Sequence, residues 1–172
     1  MNQTNGRVAR PGARWIVFGG LAGVVVVLDQ LSKAWLVANV APGEVRDVAG
    51  DLVRLVYHQN SGALFGLFHD QAIVFGLLSL GVIGLIVGYH ARSSRSLYLS
   101  IALGFLLGGA LGNLADRLRL GYVVDFVDVG IGDLRFYTFN LADAAISTAI
   151  VLLLAVALIP GLARLVDGAP DG

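Results

Sequence analysis

Four long apolar runs constrain the fold of this chain more than any other feature of its sequence. They cover approximately residues 15–37, 71–90, 97–115 and 139–165. A helix that crosses the hydrocarbon core of a bilayer needs about 20 consecutive apolar residues, and each run is long enough. We therefore predict an all-α membrane protein with four transmembrane helices.

The composition supports a membrane protein and excludes several other classes. Of the 172 residues, 56% are hydrophobic and 14% are charged, whereas a soluble domain is about 25% charged. We predict one integral membrane domain, with tails at 1–14 and 166–172. The formal net charge of zero argues against nucleic-acid binding, and the lack of cysteine excludes disulfides and thiol catalysis. We expect no cofactor and no metal, because the three histidines lack the spacing of metal ligands. They are His58, His69 and His90.

The first apolar run could instead be a signal peptide, because basic residues precede it. Those residues are Arg7, Arg10 and Arg14. The run is too long for a signal peptide, however, and it carries Asp29 and Lys33 near its end. We interpret it as the first transmembrane helix.

The positions of the arginines predict the orientation of the four helices. Three arginines lie in residues 1–14 and two in residues 91–96. Under the positive-inside rule both segments are cytoplasmic, which places both termini inside. Segments 38–70 and 116–138 then lie outside, although they also carry arginines. This orientation brings polar residues near the outer boundary to one depth. They are Asp29, Lys33, Asp70, Asp116, Asn140 and Asp143.

The first outer segment contains one predicted strand. Residues 52–60 are rich in β-branched and aromatic side chains, which favours a strand. Residues 40–50 hold a proline and two glycines, and we predict a turn there. Residues 60–66 read NSGALFG and are predicted to form a loop, because its glycines allow close backbone approach.

The third apolar run has a glycine face, which predicts that this helix packs closely against a neighbour. Its glycines recur at a spacing of four residues, so they fall on one side of the helix. They are Gly104, Gly108 and Gly112.

Aspartates are concentrated around the end of the third run and the start of the fourth. Carboxylates next to hydrocarbon are costly and so indicate a function. We interpret Asp125 and Asp143 as a catalytic pair, because apolar neighbours partly desolvate Asp125. Two neighbouring carboxylates share one proton. The ionised acid can then accept a proton from water, while the protonated acid polarises a peptide carbonyl. Asp128 is the rival for this role, and Asp133 lies further along.

The other polar residues have structural as well as functional interpretations. Asp29 and Lys33 are spaced for an ion pair on one helix face, or they could orient a neighbouring polar group. Asp116 and Arg117 could form an interfacial charge cluster, or Arg117 could hold a substrate carbonyl or headgroup.

Asn140 and Asp143 also match a helix N-cap with an acidic residue at the third helical position. The capping and catalytic roles are compatible, because a capped helix start is a rigid mount for a carboxylate.

Five motifs occur in order along the chain. They are DQxxK at 29–33, NSGALFG at 60–66, GGALGNLxDR at 108–117, VVDF at 123–126 and FNxAD at 139–143. Over roughly residues 15–160 the chain resembles the lipoprotein signal peptidases (signal peptidase II).

This resemblance implies a multi-pass aspartyl endopeptidase of the bacterial inner membrane. Such an enzyme acts on diacylglyceryl-modified prolipoproteins in contact with membrane lipid, cuts before the lipidated cysteine and is expected to be a monomer. It also implies a small β-platform and an outer flap in segment 38–70, with the site on the outer side. Asp125 and Asp143 become the catalytic dyad. The supporting residues would be Asn60, Gly108, Asn113, Arg117, Asn140, Asp29 and Lys33.

Two other classes of function are compatible with four spans. A proton-coupled transporter needs an intramembrane carboxylate, but here the acids cluster at one end of the helices rather than at the midplane. A non-catalytic assembly factor could pack through the glycine face, but that hypothesis leaves the clustered aspartates without a task.

Overall fold

The computed structural model describes residues 11–61, 72–93, 96–159 and 161–162. Within those residues, four helices are long and apolar enough to cross a membrane. They are α1 (Pro11–Asn39), α2 (Ala72–Ser93), α3 (Leu97–Leu120) and α4 (Leu141–Leu158). The prediction of four membrane-spanning helices is confirmed.

The ends of α3 and α4 differ from the predicted bounds of 115 and 165. Helix α3 continues to Leu120 and ends at Gly121, whose φ of 78° and N–H bond to the Arg117 carbonyl form a left-handed C-cap. Helix α4 ends at Leu158, because Ile159 is extended and the following proline disfavours helical backbone at the residue before it. The predicted bound of α3 is too short because the last turns of the helix carry charged residues, whereas the prediction followed the apolar run.

Helix α3 is the centre of the bundle and packs against each of the other three helices. The side that faces α1 carries the predicted glycines, which are Gly104, Gly108 and Gly112. A Cβ atom at Gly108 would lie 2.6 Å from the Cβ of Val25, and one at Gly112 would lie 2.7 Å from Asp29 Oδ2. Because α3 has no side chains at these glycines, α1 packs directly against its backbone. Asp29 occupies the space next to Gly112.

The described part of the chain also forms a four-stranded antiparallel sheet that adjoins the helices, in the order β1-β2-β3-β4. Its strands are β1 (Val45–Ala49), β2 (Val53–Asn60), β3 (Val123–Ile131) and β4 (Leu134–Arg135). Strand β2 confirms the strand predicted at 52–60. The turn predicted for 40–50 is wrong over Val45–Ala49, because pairing with β2 stabilises a strand between Gly43 and Gly50.

The sheet takes strands from two distant segments, which sequence reasoning did not foresee. Strands β1 and β2 belong to segment 38–70, where a platform was expected. Strands β3 and β4 come from the connection between α3 and α4. The flap expected within 38–70, together with Asp70, falls largely in residues 62–71, which lie outside the described residues.

Strand β3 separates two environments. Val124 packs with Leu36 and Val40 at the end of α1, and Phe126 joins the same cluster. Side chains alternate between the faces of a strand, so Asp125 points to the opposite face. The alternation thus places one carboxylate on the side of the sheet where α4 begins.

Candidate active site

Asp125 on β3 and Asp143 on α4 belong to one chain of hydrogen bonds. The Asn140 amide donates to Asp125 Oδ1 (2.7 Å) and to Asn113 Oδ1 (3.1 Å). The Asn113 amide in turn donates to Asp143 Oδ1 (2.8 Å). Two asparagines thus connect the two predicted acids.

The start of α4 fixes Asp143. The Asn140 side chain accepts the Asp143 N–H (2.9 Å), and Asp143 Oδ2 accepts the Asn140 N–H (3.2 Å). This reciprocal arrangement is a capping box, and the N-cap prediction is confirmed. Asp143 is half-buried, so its carboxyl group is held at the helix start without being sealed from solvent.

Asp125 is fully buried. Burial is the main reason that the pKa of its carboxyl group rises to about 7, and the negative charge of Asp143 raises this pKa further. Hydrogen bonds from Asn60 (2.9 Å, to Oδ2) and Asn140 oppose the rise. Near neutral pH this carboxyl group can therefore hold or release a proton.

A buried charge triad lies behind the two acids. Lys33 Nζ lies 2.8 Å from Asp29 and 2.9 Å from Asp116, and it donates to Asn113 Oδ1 (3.2 Å). Both interpretations of Asp29 and Lys33 are confirmed, since they form an ion pair and also orient a neighbour. Because Asn113 Oδ1 accepts from Lys33 and from Asn140, the Asn113 amide nitrogen faces Asp143.

The two carboxylates of the triad also hold the segments that carry the acids. Asp29 Oδ1 accepts the Ala142 N–H in the first turn of α4 (3.0 Å). Asp116 Oδ2 accepts the N–H of Val124, which precedes Asp125 (3.1 Å). The interpretation of Asp116 with Arg117 as an interfacial charge cluster is wrong, because Asp116 is 2% exposed and pairs with Lys33.

Arg117 lies close enough to both acids to interact electrostatically with them. Its guanidinium carbon lies 5.7 Å from the ring centroid of Phe75, a cation–π distance. Among the described residues it makes no hydrogen bond or ion pair, and so its donors are available to a substrate. Gly108 contributes differently, through the packing of α3 on α1.

The rival aspartates lie away from this network. Asp128 is held by Arg54 (3.3 Å) and Arg135 (3.0 Å) on the sheet. Asp133 is exposed in the turn between β3 and β4. No group of three or more potential metal ligands occurs within the described part of the chain.

Two residues of the network were missed by sequence reasoning. Tyr137 accepts a hydrogen bond from Asn60 (2.7 Å), and burial together with the charge of Asp125 raises the pKa of its phenol. Gln30 donates to Asp116 Oδ1 (2.8 Å). Gln30 stands in the DQxxK motif, so the motif itself carried a signal, whereas nothing adjacent to Tyr137 indicated its partner.

Comparison with known proteins extends these observations. Residues 21–159 match the family described as signal peptidase (SPase) II. The lipoprotein signal peptidase of Syntrophomonas wolfei subsp. wolfei is 42% identical over 144 residues, which cover 84% of this chain and 94% of that protein. The lipoprotein signal peptidase of Streptococcus pyogenes serotype M1 is 39% identical over 132 residues, covering 76% and 86%.

Solved structures have the same fold. A bacterial membrane enzyme determined by the in meso method at 2.3 Å resolution superposes with a TM-score of 0.76, at 26% identity and with 94% of both chains covered. Another, determined at 1.9 Å, gives a TM-score of 0.75 at 27% identity, covering 86% of this chain and 94% of that one.

Proposed function

The chain belongs to the signal peptidase II family, and on that premise we propose that Asp125 and Asp143 are the acids with which it cleaves prolipoproteins. It is a membrane protease that removes signal peptides from prolipoproteins. The transporter and assembly-factor hypotheses are thereby set aside. The main support for the acid pair is a buried carboxyl group with a pKa near 7, connected through two amides to a second carboxylate.

In the proposed mechanism the two acids have different protonation states. Asp125 carries the shared proton, since burial favours its neutral form. Asp143 is ionised and accepts a proton from water as the water oxygen attacks the scissile carbonyl carbon. Asp125 gives its proton to the carbonyl oxygen, which forms a tetrahedral diol. Asp143 then protonates the leaving nitrogen while Asp125 recovers its proton, and the C–N bond breaks.

The surrounding residues divide into substrate contacts and positioning residues. Within the described ranges the Arg117 guanidinium beside the acids has no hydrogen-bond partner, and we assign to it a substrate carbonyl next to the scissile bond. Asn113 and Asn140 keep the acids in register through their amides. Asn60 contacts Asp125 from β2, at the end of the strand that leads into the outer loop.

The lipid of the substrate sets the depth of the scissile bond in this proposal. Both acids lie where the membrane-spanning helices meet the sheet. A diacylglyceryl group can remain in hydrocarbon while its cysteine backbone reaches the carboxylates. Each buried CH₂ contributes about 0.8 kcal/mol of membrane affinity, so two acyl chains hold the substrate at a fixed depth. Such positioning removes much of the entropic cost of the encounter.

The test compares two precursor peptides that differ only in the modification of the cysteine. Initial cleavage rates are measured in the same detergent micelles, with the Asp143→Asn protein as the blank. We expect the lipidated peptide to be cut far faster than its unmodified twin. Equal rates would refute positioning by lipid and indicate a general membrane peptidase.

We also propose that both termini are cytoplasmic, that the sheet and acids face outward, and that the enzyme acts as a monomer. The arginines near the N-terminus and after α2 support the orientation, and one chain supplies all residues of the site. The native chain has no cysteine, so single cysteines at Asp51 and Ser94 give clean probes. An impermeant thiol reagent added to intact cells should label position 51 alone. Labelling at 94 alone would show that the orientation is the reverse.

A further inference from the structure

A cavity of about 350 Å³ lies behind the acids. It is bounded by the ends of α1 and α3 and by β2 and β3. Val124 lines it, whereas the next residue, Asp125, points to the other face of the same strand. The cavity is therefore separate from the side of β3 on which the substrate is cleaved.

Several polar groups in the cavity wall are already satisfied by the protein. Lys33 uses its three N–H donors on Asp29, Asp116 and Asn113. Asp116 accepts from Lys33, Gln30 and a backbone N–H. The positive charge of Lys33 is offset by Asp29 and Asp116, and its three donors are used, so it has none left for a ligand.

Arg119 has unused donors. One of its terminal nitrogens donates to Gln30 Oε1 (2.8 Å). The other N–H groups of the guanidinium have no hydrogen-bond partner among the described residues. Among the described residues Arg119 makes no ion pair, so its guanidinium keeps both a positive charge and hydrogen-bond donors for an anionic ligand.

Two phenols add one more donor. The hydroxyl groups of Tyr57 and Tyr122 lie 3.1 Å apart, and Gln59 donates to the Tyr57 oxygen (2.8 Å). Only one of the two phenols can donate within the pair. Whichever phenol donates, the proton of the other has no acceptor among the described residues. The cavity thus offers N–H and O–H donors in excess of acceptors.

The remaining wall is apolar and lies at the membrane-spanning part of the chain. Ala34, Ala38 and Leu120 line it. The neighbouring residues Leu31 and Trp35 are 62% and 53% exposed within a helix apolar enough to span a bilayer. Lipid that covers those side chains would therefore adjoin the cavity opening.

We propose that this cavity binds an anionic phospholipid of the surrounding membrane. The phosphate accepts hydrogen bonds from Arg119 and from the free phenolic proton, since phosphate oxygens are acceptors that suit a guanidinium. One acyl chain lies along Ala34, Ala38 and Leu120, where the apolar wall replaces water. The diacylglyceryl group of a substrate has no phosphate, so it lacks the group that these donors recognise.

Native mass spectrometry of the full-length protein can test the site. Delipidated protein in detergent is incubated with phosphatidylglycerol or with phosphatidylcholine, and the bound lipids are counted. We expect one phosphatidylglycerol on the wild type and about tenfold weaker retention of phosphatidylcholine. Ala38→Trp fills the apolar wall and Arg119→Gln removes the charge. Each should weaken phosphatidylglycerol retention about tenfold, as expected for one charge-assisted contact or one blocked chain.

Matched controls distinguish lipid bound at this site from lipid bound elsewhere on the protein. Ala157→Trp places the same bulk on an exposed part of α4, and Arg46→Gln removes an arginine from the exposed strand β1. Both should retain phosphatidylglycerol like the wild type. Arg119→Gln leaves the core unchanged, so this variant still tests the site if Ala38→Trp does not fold. Wild-type retention by Arg119→Gln, equal retention of phosphatidylcholine, or no lipid on the wild type would each overturn the proposal.

Discussion

Asp125 and Asp128 stand on the same strand, but different kinds of partner hold their carboxylates. Asp125 receives hydrogen bonds from the neutral amides of Asn60 and Asn140. Asp128 is paired with the guanidinium groups of Arg54 and Arg135. Both are buried residues, so burial alone does not distinguish them.

The comparison shows how the partner determines what a buried carboxylate can do. A neutral amide stabilises a carboxylate through a hydrogen bond but adds no net charge, so desolvation still raises the pKa of Asp125 to about 7. Two guanidinium groups supply full positive charge to Asp128. Asp125 is therefore suited to exchanging a proton near neutral pH, while Asp128 is suited to joining strands.

The largest expected effect is on cleavage. Asp125→Asn and Asp143→Asn should each reduce the rate at least about 1,000-fold, because an amide cannot exchange the shared proton. Asp128→Asn should retain activity within about tenfold. Initial rates on a lipidated precursor peptide measure this, and gel filtration checks that each variant is folded. An inactive Asp128→Asn protein beside an active Asp125→Asn protein would reverse the assignment.

Stability against pH gives the second test. The pKa of Asp125 is raised in the folded protein from 3.8 to about 7, so folding favours the protonated form. That contribution is complete below the unfolded pKa and is lost as pH rises through about 7. Between about pH 4 and 8 the wild type should lose about 2–4 kcal/mol relative to Asp125→Asn.

Thermal unfolding in detergent at both pH values measures the difference between the two proteins. The comparison uses the change in stability of each protein between the two pH values, so any pH-independent effect of the amide on stability cancels. A constant difference across this range would contradict the raised pKa.

The pH dependence of cleavage gives a smaller effect. kcat/KM should fall as pH rises through about 7, when Asp125 loses its proton. The hydrogen bond from Asn60 lowers the pKa of Asp125, so Asn60→Ala should move this descent to higher pH by about half to one unit. Arg54→Gln alters the surroundings of Asp128 and should leave the pH at which kcat/KM falls unchanged. A descent shifted to lower pH in Asn60→Ala would refute the assigned proton.

The smallest expected effect concerns the stability of the sheet. Asp128→Asn weakens two ion pairs that are partly accessible to solvent, so the expected loss is about 1 kcal/mol. Chemical denaturation in detergent, with Asp133→Asn in the exposed turn as control, measures it. A loss equal to that of the control would show that the arginines do not stabilise the strand pairing.

Features encoded locally could be predicted from the sequence. The length of the apolar runs predicted four helices, and the spacing of Asn140 and Asp143 predicted the N-cap. Strand β2 followed from its β-branched residues. The motifs contain both proposed acids and the supporting residues named with them, because they carry family information that spacing alone does not.

Features that depend on distant partners could not be predicted. The proline and glycines that flank β1 predict a turn from the local pattern, whereas the strand itself depends on pairing with β2. Lys33 donates to Asn113, 80 residues later in the chain, and no local signal connects them. The interfacial cluster, one of two alternatives for Asp116 and Arg117, follows from their adjacency in sequence, while the partner of Asp116 in space is Lys33.

The division of the sheet between two segments has a consequence for biogenesis. Asp125 pairs across strands with His58, and the two lie on either side of α2 and α3 in the chain. Asp143 follows on the last membrane helix. As ribosomes deliver the chain from its N-terminus, β2 can pair with β1 at once, but it gains its second partner, β3, only after α2 and α3 have been made. The two proposed catalytic acids come together only after α4 has begun to insert, so on that proposal proteolytic activity arises as the final step of assembly.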